Sequence, residues 1–387
     1  MDVAIWAYPW DLLDEGAESV ADCLYAMGVD EISLATNYHH VQAFLPHNPE
    51  RRTFFARASS YFRPDGGYGE LQPVPNEAMG EDDWLDRIAT VIEDSPLSLN
   101  SWTIGCHNSR LGLDHPEATL TNAFGDSLAF GLCPSNPVVK TYLTSLIGDL
   151  SDRGCFERIE LETFDYFYGT GYGWHHDKFH TDLGILGEFL FGVCFCEHCR
   201  AAAADTGADV ERVRATVRDT VDGIVAGSVP ASTDAGAWLR AHPAVADYLE
   251  VRTETLAALY ADLAAASDPD LGYYFGLLDP DRTWMHGVDG HALADHLDYY
   301  LVPAYECSSK AVLETLAGAD ALTPDIPLHA GLLPGHPAVE DPETLTDIVT
   351  ELADISTPRI SFYNYGLLPE RNLKWIKQAL RAAGESS

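Results

Sequence analysis

RIELETFDYFYGTGYGWHHDKFHTDLGILGEFLFGVCFCEHCR, residues 158–200, decides how the chain is read. Its opening, RIELETF (Arg158–Phe164), has the pattern of a short strand. Alternate side chains of a strand share a face, so Ile159 and Leu161 point one way and Glu160 and Glu162 the other. An aromatic, glycine-rich loop follows and carries His175, His176, Asp177 and Lys178. An apolar helical segment comes next, and the stretch ends in Cys194-x-Cys196-x-x-Cys199. Acids on one strand face, loop histidines and clustered thiols within one connection predict an active-site loop with a metal staple beside it.

Seven further runs resemble RIELETF, each apolar and ending in polar or aromatic residues. They are VAIWAYP (Val3–Pro9), EISLATNYHH (Glu31–His40), SLNSWTIGCHN (Ser98–Asn108), LGYYFGLLD (Leu271–Asp279), HLDYYLVPAYE (His296–Glu306), PLHAGLL (Pro327–Leu333) and RISFYNYG (Arg359–Gly366). Helical segments lie between them. GAESVADCLYAMG stops at a glycine, and SNPVVKTYLTSLIGDL starts with a Ser/Asn cap and Pro137 in its first turn. PETLTDIVTELADI and PERNLKWIKQAL share a proline-then-acid opening. Eight strand–helix units predict a (β/α)8 TIM barrel, because βαβ crossovers build a parallel sheet and eight strands close it. An open doubly wound sheet fits less well, since no G-x-G-x-x-G follows the first strand. The longest connection, about 164–270, is expected to be an insertion between strands 4 and 5 carrying two acidic helices. The whole chain, 1–387, is read as one barrel domain.

The 387 residues are 46% hydrophobic and carry 23 basic against 60 acidic residues, a formal charge of -37. Such a charge disfavours a compact state in dilute buffer, and concentrated salt relieves it by screening. The acids are spread over ordinary amphipathic helices and lysines are few, as expected of a protein from a salt-accumulating halophile. The same charge argues against nucleic acid and anionic membrane as partners. The chain opens on an apparent strand, with no basic leader pattern and no apolar run of bilayer length, so a cytoplasmic location is expected. A homo-oligomer is compatible with all of this.

A barrel of this kind builds its site at the C-terminal ends of its strands. Those ends supply Trp10, Tyr38, His39, His107, Glu160, Glu162, Asp279, Tyr305, Glu306, His329 and Asn364. Aromatic rings, carboxylates and amides suit a neutral polyhydroxylated ligand; a phosphorylated one would call for basic groups or a glycine-rich helix start. A carbohydrate is therefore the expected substrate, with His175 and His176 reaching it from their loop. Glu162 is the expected general acid, its pKa raised by neighbouring aromatic residues. Glu160 either assists it or pairs with a buried base. Glu306 or Asp279 would be the second carboxylate that glycoside hydrolysis needs. Cys194, Cys196 and Cys199 have the spacing of a tetrahedral zinc site, with Cys133, Cys155 or His198 as the fourth ligand. Four thiolates would make that zinc structural, with no open coordination position.

CFCEHCRAAA resembles the C-Y-C-x-x-C segment of family 42 β-galactosidases, barrel enzymes of the large retaining-glycosidase clan. In that family a fourth cysteine sits earlier, before a helix beginning N-x-P or S-P, and CPSNPVVKTYL is similar. The resemblance covers roughly Cys133 to Ala203 and implies that Cys133 completes the zinc site and that Glu162 stands at the acid/base. Two positions depart from the family: Leu161 replaces the asparagine before the acid, and PLHAGLL has no carboxylate for the strand-seven nucleophile. Glu160-x-Glu162 also resembles the D-x-E pair of chitinase-type barrels, which use a substrate amide as nucleophile.

Together these features predict a glycoside hydrolase, with a metal-dependent sugar isomerase or epimerase, or a non-catalytic carbohydrate-binding barrel, as alternatives. The charge makes the first testable statement. Melting temperature should rise as KCl goes from millimolar to molar, because repulsion among surface acids is then screened; a flat profile refutes the halophilic reading.

Overall fold

The expected eight strands close on themselves in the computed structural model, which describes residues 1–167, 180–277, 279–323 and 326–386. They are β1 (Asp2–Ala7), β2 (Glu31–Tyr38), β3 (Ser98–Ile104), β4 (Arg158–Glu162), β5 (Asp270–Tyr274), β6 (Tyr299–Pro303), β7 (Leu328–Leu332) and β8 (Arg359–Phe362). Every barrel pairing is parallel, and β1 bonds both β2 and β8, which closes a (β/α)8 TIM barrel. A short antiparallel strand, Ser59–Ser60, adds to the exit of β2.

Period-two alternation sorts the strand residues into two cores. Val3, Ile5, Ile32, Leu34, Leu99, Ile159, Leu161, Val302, Ile360 and Phe362 face outward and pack under the surrounding helices. Trp6, Ala35, Trp102, Tyr274, Tyr299 and Leu301 face inward. The helices start as their sequences dictate. Asn136 caps Pro137–Asp152 by accepting from the Val138 N–H, and Asp83 caps Trp84–Glu93. Asp341 caps Pro342–Asp354 from outside the first turn.

Between β4 and β5 the chain forms helices Val210–Val225 and Pro243–Ala265, the two expected. It also forms Gly184–Gly192, Glu197–Asp205 and Ala235–Ala241. Gly184–Gly192 is the apolar helical segment expected before Cys194, while Glu197–Asp205 and Ala235–Ala241, nine and seven residues long, are too short to show a helical period in the sequence. Leu186, Phe189, Val217, Trp238 and Tyr248 give this region an apolar cluster of its own. No helix among the described residues is long and apolar enough to cross a membrane.

The barrel's lower interior, at the N-terminal ends of the strands, is polar. Arg359 is 1% exposed and donates from its Nη1 to Glu160 Oε1 at 2.9 Å. Its Nε lies 2.9 Å from Glu31 Oε2, an ion pair without hydrogen-bond alignment. Arg158 holds the other Glu31 oxygen at 2.6 Å. Two arginines thus neutralise two glutamates inside the sheet. Tyr299 stacks on His329 at 4.1 Å beside them. A Cβ on Gly272 would sit 2.1 Å from the Tyr299 ring, so only glycine fits opposite it in the register.

Removing Arg359 would leave two buried glutamates without their shared counter-charge. Breaking a buried pair this way typically costs about 3–5 kcal/mol. Arg359→Leu should lose that much in denaturant melts run in molar KCl; a loss below about 1 kcal/mol would mean the ion pairs do not hold the barrel together.

Candidate functional site at the barrel mouth

Glu160 and Glu162 do share the inward face of β4, one layer apart, and their surroundings divide their roles. Glu160 is fully buried. Its Oε1 accepts from Ser33 Oγ (2.8 Å) and Arg359, and its Oε2 from Trp6 Nε1 (3.0 Å) and Tyr274 OH (2.9 Å). All its near acceptor positions are occupied.

Glu162, 5% exposed, accepts one bond among the described residues, from Trp102 Nε1 to its Oε2 at 2.6 Å. Burial pushes its pKa up to about 7. The Trp102 bond opposes that rise, while the nearby Asp165 and Glu160 charges add to it. Aromatic rings enclose the spot. Trp102 meets Tyr38 edge-on at 4.7 Å and lies 5.5 Å from Tyr8 and 5.8 Å from Tyr363. The Tyr8 and Tyr38 hydroxyls are 3.1 Å apart.

The backbone just past Glu162 is strained and held. Thr163 has φ +54°, in the left-handed region that a β-branched residue avoids. Two bonds from the exit of β3 fix it: Gly105 N–H donates to Glu162 O and Cys106 N–H to Thr163 O. Gly105 has no room for a side chain, since a Cβ would come 2.7 Å from the Phe164 ring. Beyond this turn Asp165 accepts from Tyr273 OH at 2.6 Å and meets His286 Nδ1 at 3.3 Å.

The remaining expected site residues fall in several places. Tyr38, His39 and His107 form a row of rings leading from Trp102: Tyr38 lies 4.7 Å from Trp102 and 4.3 Å from His39, and His107 stacks between His39 (4.4 Å) and Phe167 (4.0 Å). Tyr305 is half-buried, 5.8 Å from the Tyr363 ring. Trp10 is buried rather than open, stacked between Phe54 (4.1 Å) and Tyr8 (4.5 Å). Asn364 is buried and caps the turn Tyr365–Leu367. His329 is not at the mouth. It sits in the lower layer against Tyr299, where burial and then the Arg359 and Arg158 charges lower its pKa to about 3. His329 is the second residue of β7, which runs three residues further to Leu332, so its place in the apolar run did not mark the strand's exit. His175 and His176 lie outside the described residues.

Asp279 caps the turn Pro280–His286 and pairs with Arg282 at 3.1 Å. It lines a small cavity with Thr163, Asp165 and Tyr274. Glu306 is half-buried and accepts from Thr315 Oγ1, on the outer helix Ser309–Asp320, at 3.3 Å. Sequence reasoning missed Trp102 as the donor to Glu162. The available signal was parity: Trp102 shares the inward face of β3 with Asn100, opposite Glu160 in the register.

Cys133, Cys194, Cys196 and Cys199 converge at a second place, all buried, with their sulfurs within 4.8 Å of one another. Cys133 Sγ lies 3.6, 3.5 and 3.8 Å from those of Cys196, Cys199 and Cys194. A tetrahedron with metal–sulfur bonds of ~2.3 Å has edges of about 3.8 Å, so these spacings fit one ion. Backbone N–H groups of Thr121 and Cys196 donate to Cys194 Sγ, as a thiolate favours. Among the described residues this is the one group of three or more potential ligands. Cys155 and His198 are not part of it.

No family model matches the chain, and no curated protein sequence matches it. Solved structures similar in fold include the β-galactosidase of the psychrophilic Marinomonas ef1, at TM-score 0.58 and 13% identity, over 100% of this chain and 60% of that one. The β-galactosidase of Bacillus circulans sp. alkalophilus matches at 0.58 and 13%, over 98% and 55%. The PgaB (BpsB) glycoside hydrolase domain of Bordetella bronchiseptica matches at 0.57 and 12%, over 99% and 98%. The chain therefore spans a little over half of each β-galactosidase and nearly all of the Bordetella domain. The shared feature is the barrel.

The Glu162 pKa carries a stability consequence. Its folded value lies above its unfolded one, so the folded state binds the extra proton, and stability falls as pH rises from about 4.5 to about 7. Glu162→Gln removes the ionisation and keeps a carbonyl for Trp102. It should be more stable than wild type at pH 8, by about 3 kcal/mol, and by less than about 1 kcal/mol at pH 5. Denaturant melts at both pH values decide this; a variant less stable at pH 8 contradicts it.

Proposed function

We propose that the chain is a glycosidase-type enzyme acting on a carbohydrate, with Glu162 as general acid. One observation carries the reading: a carboxyl at the C-terminal end of strand four is buried beside Trp102 and its aromatic neighbours, and that burial pushes its pKa up to about 7. A group protonated at neutral pH can hand that proton to a leaving glycosidic oxygen. The barrel shared with glycoside hydrolases supports the assignment at the level of fold. Glu160, engaged by four donors, is assigned to hold the β4 layer in place rather than to transfer a proton. Asp279 is assigned as the second carboxylate, because it lines the cavity of Thr163 and Tyr274 whereas Glu306 bonds an outer helix. The charge of -37 supports a salt-rich cytoplasm as the setting.

The end of β7 favours a second reading. Leu332 and Leu333 stand where the family 42 enzymes carry their nucleophile, which suits a carbohydrate-binding barrel without turnover. The sugar isomerase alternative needs a catalytic ion, and the ligand group found among the described residues is the closed set of four cysteines.

Glu162→Gln should lower turnover of ordinary glycosides by ~10²–10⁴-fold and that of activated aryl glycosides far less. Wild-type rate should fall above about pH 7, as the acid form is lost. Glycan binding with no turnover in the wild type would favour the second reading. Equal losses on both substrate types would move Glu162 to substrate binding.

The cysteine cluster supports a structural zinc held by Cys133, Cys194, Cys196 and Cys199. When bound there, the ion would join the loop before Pro137–Asp152 to the start of Glu197–Asp205. Purified protein should contain one zinc per chain, and Cys196→Ser should lose both metal and stability. Metal-free wild type of full stability would refute the site.

A further inference from the structure

Helix Pro243–Ala265 carries a buried cation that no carboxylate matches. Arg252 is 2% exposed. Its Nη2 donates to Met285 O at 3.1 Å, and its guanidinium carbon sits 4.2 Å from the centre of the Tyr166 ring. Its Nε and Nη1 have no hydrogen-bond partner among the described residues, and no carboxylate pairs with it there. Arg359 is as deeply buried but is set against Glu160 and Glu31. The acids nearest to Arg252 in the chain, Asp247, Glu250 and Glu254, are all exposed. An uncompensated buried charge is costly, so this one calls for an anion of another kind.

The four cysteines supply one. Tyr248 stands one turn before Arg252 on the same helix face, and its hydroxyl donates to Cys194 O at 2.7 Å. Its ring stacks on Phe195, between Cys194 and Cys196, at 4.9 Å. From the other side, Tyr166 OH lies 2.7 Å from Ser135 Oγ, which is 3.2 Å from Cys199 Sγ. Two tyrosines thus connect Arg252 to the cluster, Tyr166 by direct contact and Tyr248 by the shared helix face. Both phenols register both charges: after burial the cysteine charges do most to raise their pKa values, and the Arg252 charge opposes that rise.

We propose that Arg252 is the buried counter-charge of the metal–thiolate cluster, an inference that rests on the zinc reading of the four cysteines. Four thiolates outweigh a divalent ion, so the filled site is a buried anion. The N–H groups of Thr121 and Cys196 offset part of it at Cys194, and Arg252 offsets more from behind the two tyrosines. Each charge completes the other. Without the metal Arg252 is an unmatched cation, and without Arg252 the filled site keeps more of its charge uncompensated. Partners outside the ligand shell tune metal affinity in this way without touching the ion.

Zinc affinity measured by chelator competition on the full chain in molar KCl tests this. Arg252→Gln keeps a donor for Met285 O and removes the charge; it should bind zinc about 10–100-fold more weakly than wild type. Molar salt should not abolish the difference, because buried charges are screened far less than exposed ones. Arg252→Lys keeps the charge and should recover most of the loss. Arg252→Met takes the place of the glutamine variant should that one not fold. Denaturant melts give a second readout: the charge-free variant should lose stability in the zinc-loaded protein and none once the zinc is chelated. An equal loss with and without metal would mean that Arg252 acts by packing alone, and it overturns the proposal. So does a charge-free variant that binds zinc as tightly as wild type, or a lysine variant as weak as the glutamine one. A wild type that binds no zinc refutes the metal site itself, and this inference with it.

Discussion

The pairing of Arg359 with Glu160 and Glu31 is the constraint on which the barrel interior depends. Three charged side chains at 1%, 0% and 5% exposure can stay inside a sheet only if each satisfies the others. Arg359 lies on β8, Glu31 on β2 and Glu160 on β4, so the network ties together strands far apart in the chain. Because it uses Glu160 fully, the layer above is left to Glu162 alone. The division between a structural and a chemically available carboxyl, two residues apart on one strand, follows from which layer holds the arginine.

The mouth of the barrel is built against local preference. Glu162 is desolvated until its proton is retained near neutrality, and Thr163 adopts a backbone conformation that costs of order 1–3 kcal/mol. Both are sustained by the surrounding structure: Trp102 addresses one carboxyl oxygen, and the Gly105 and Cys106 amides grip the turn. Such unfavourable conformations persist where neighbouring bonds over-determine them, and they concentrate at functional sites.

Much of this was legible in the sequence. All eight strands are visible as apolar runs, because inward and outward positions alternate in a closed barrel with both faces covered. Cys133 and the C-x-C-x-x-C segment, sixty residues apart, do meet. The two glutamates of β4 share a face as their spacing requires. What the sequence could not show was depth along a strand. Parity puts His329 inside but does not say that it lies beside Arg359, below the mouth rather than in it. Nor does it show that Glu160's basic partner is Arg359, nearly two hundred residues away. The short helices Glu197–Asp205 and Ala235–Ala241 escaped for a different reason, since seven to nine residues hold too few turns to display a period.

Gly272 and Tyr299 have an evolutionary consequence. The Tyr299 ring fills the space where a side chain on Gly272 would stand, and the same ring supports His329 beside the arginine network. Drift at either position is therefore not independent: a larger residue at 272 demands a smaller one at 299, and the vacated volume must be refilled from β7. Descendants of this barrel should carry that glycine and tyrosine as a covarying pair, together with Arg359 and Glu160, even after the acidic surface has changed completely. Distant kin would then be recognised by the contents of the barrel's lower interior, long after surface similarity has vanished.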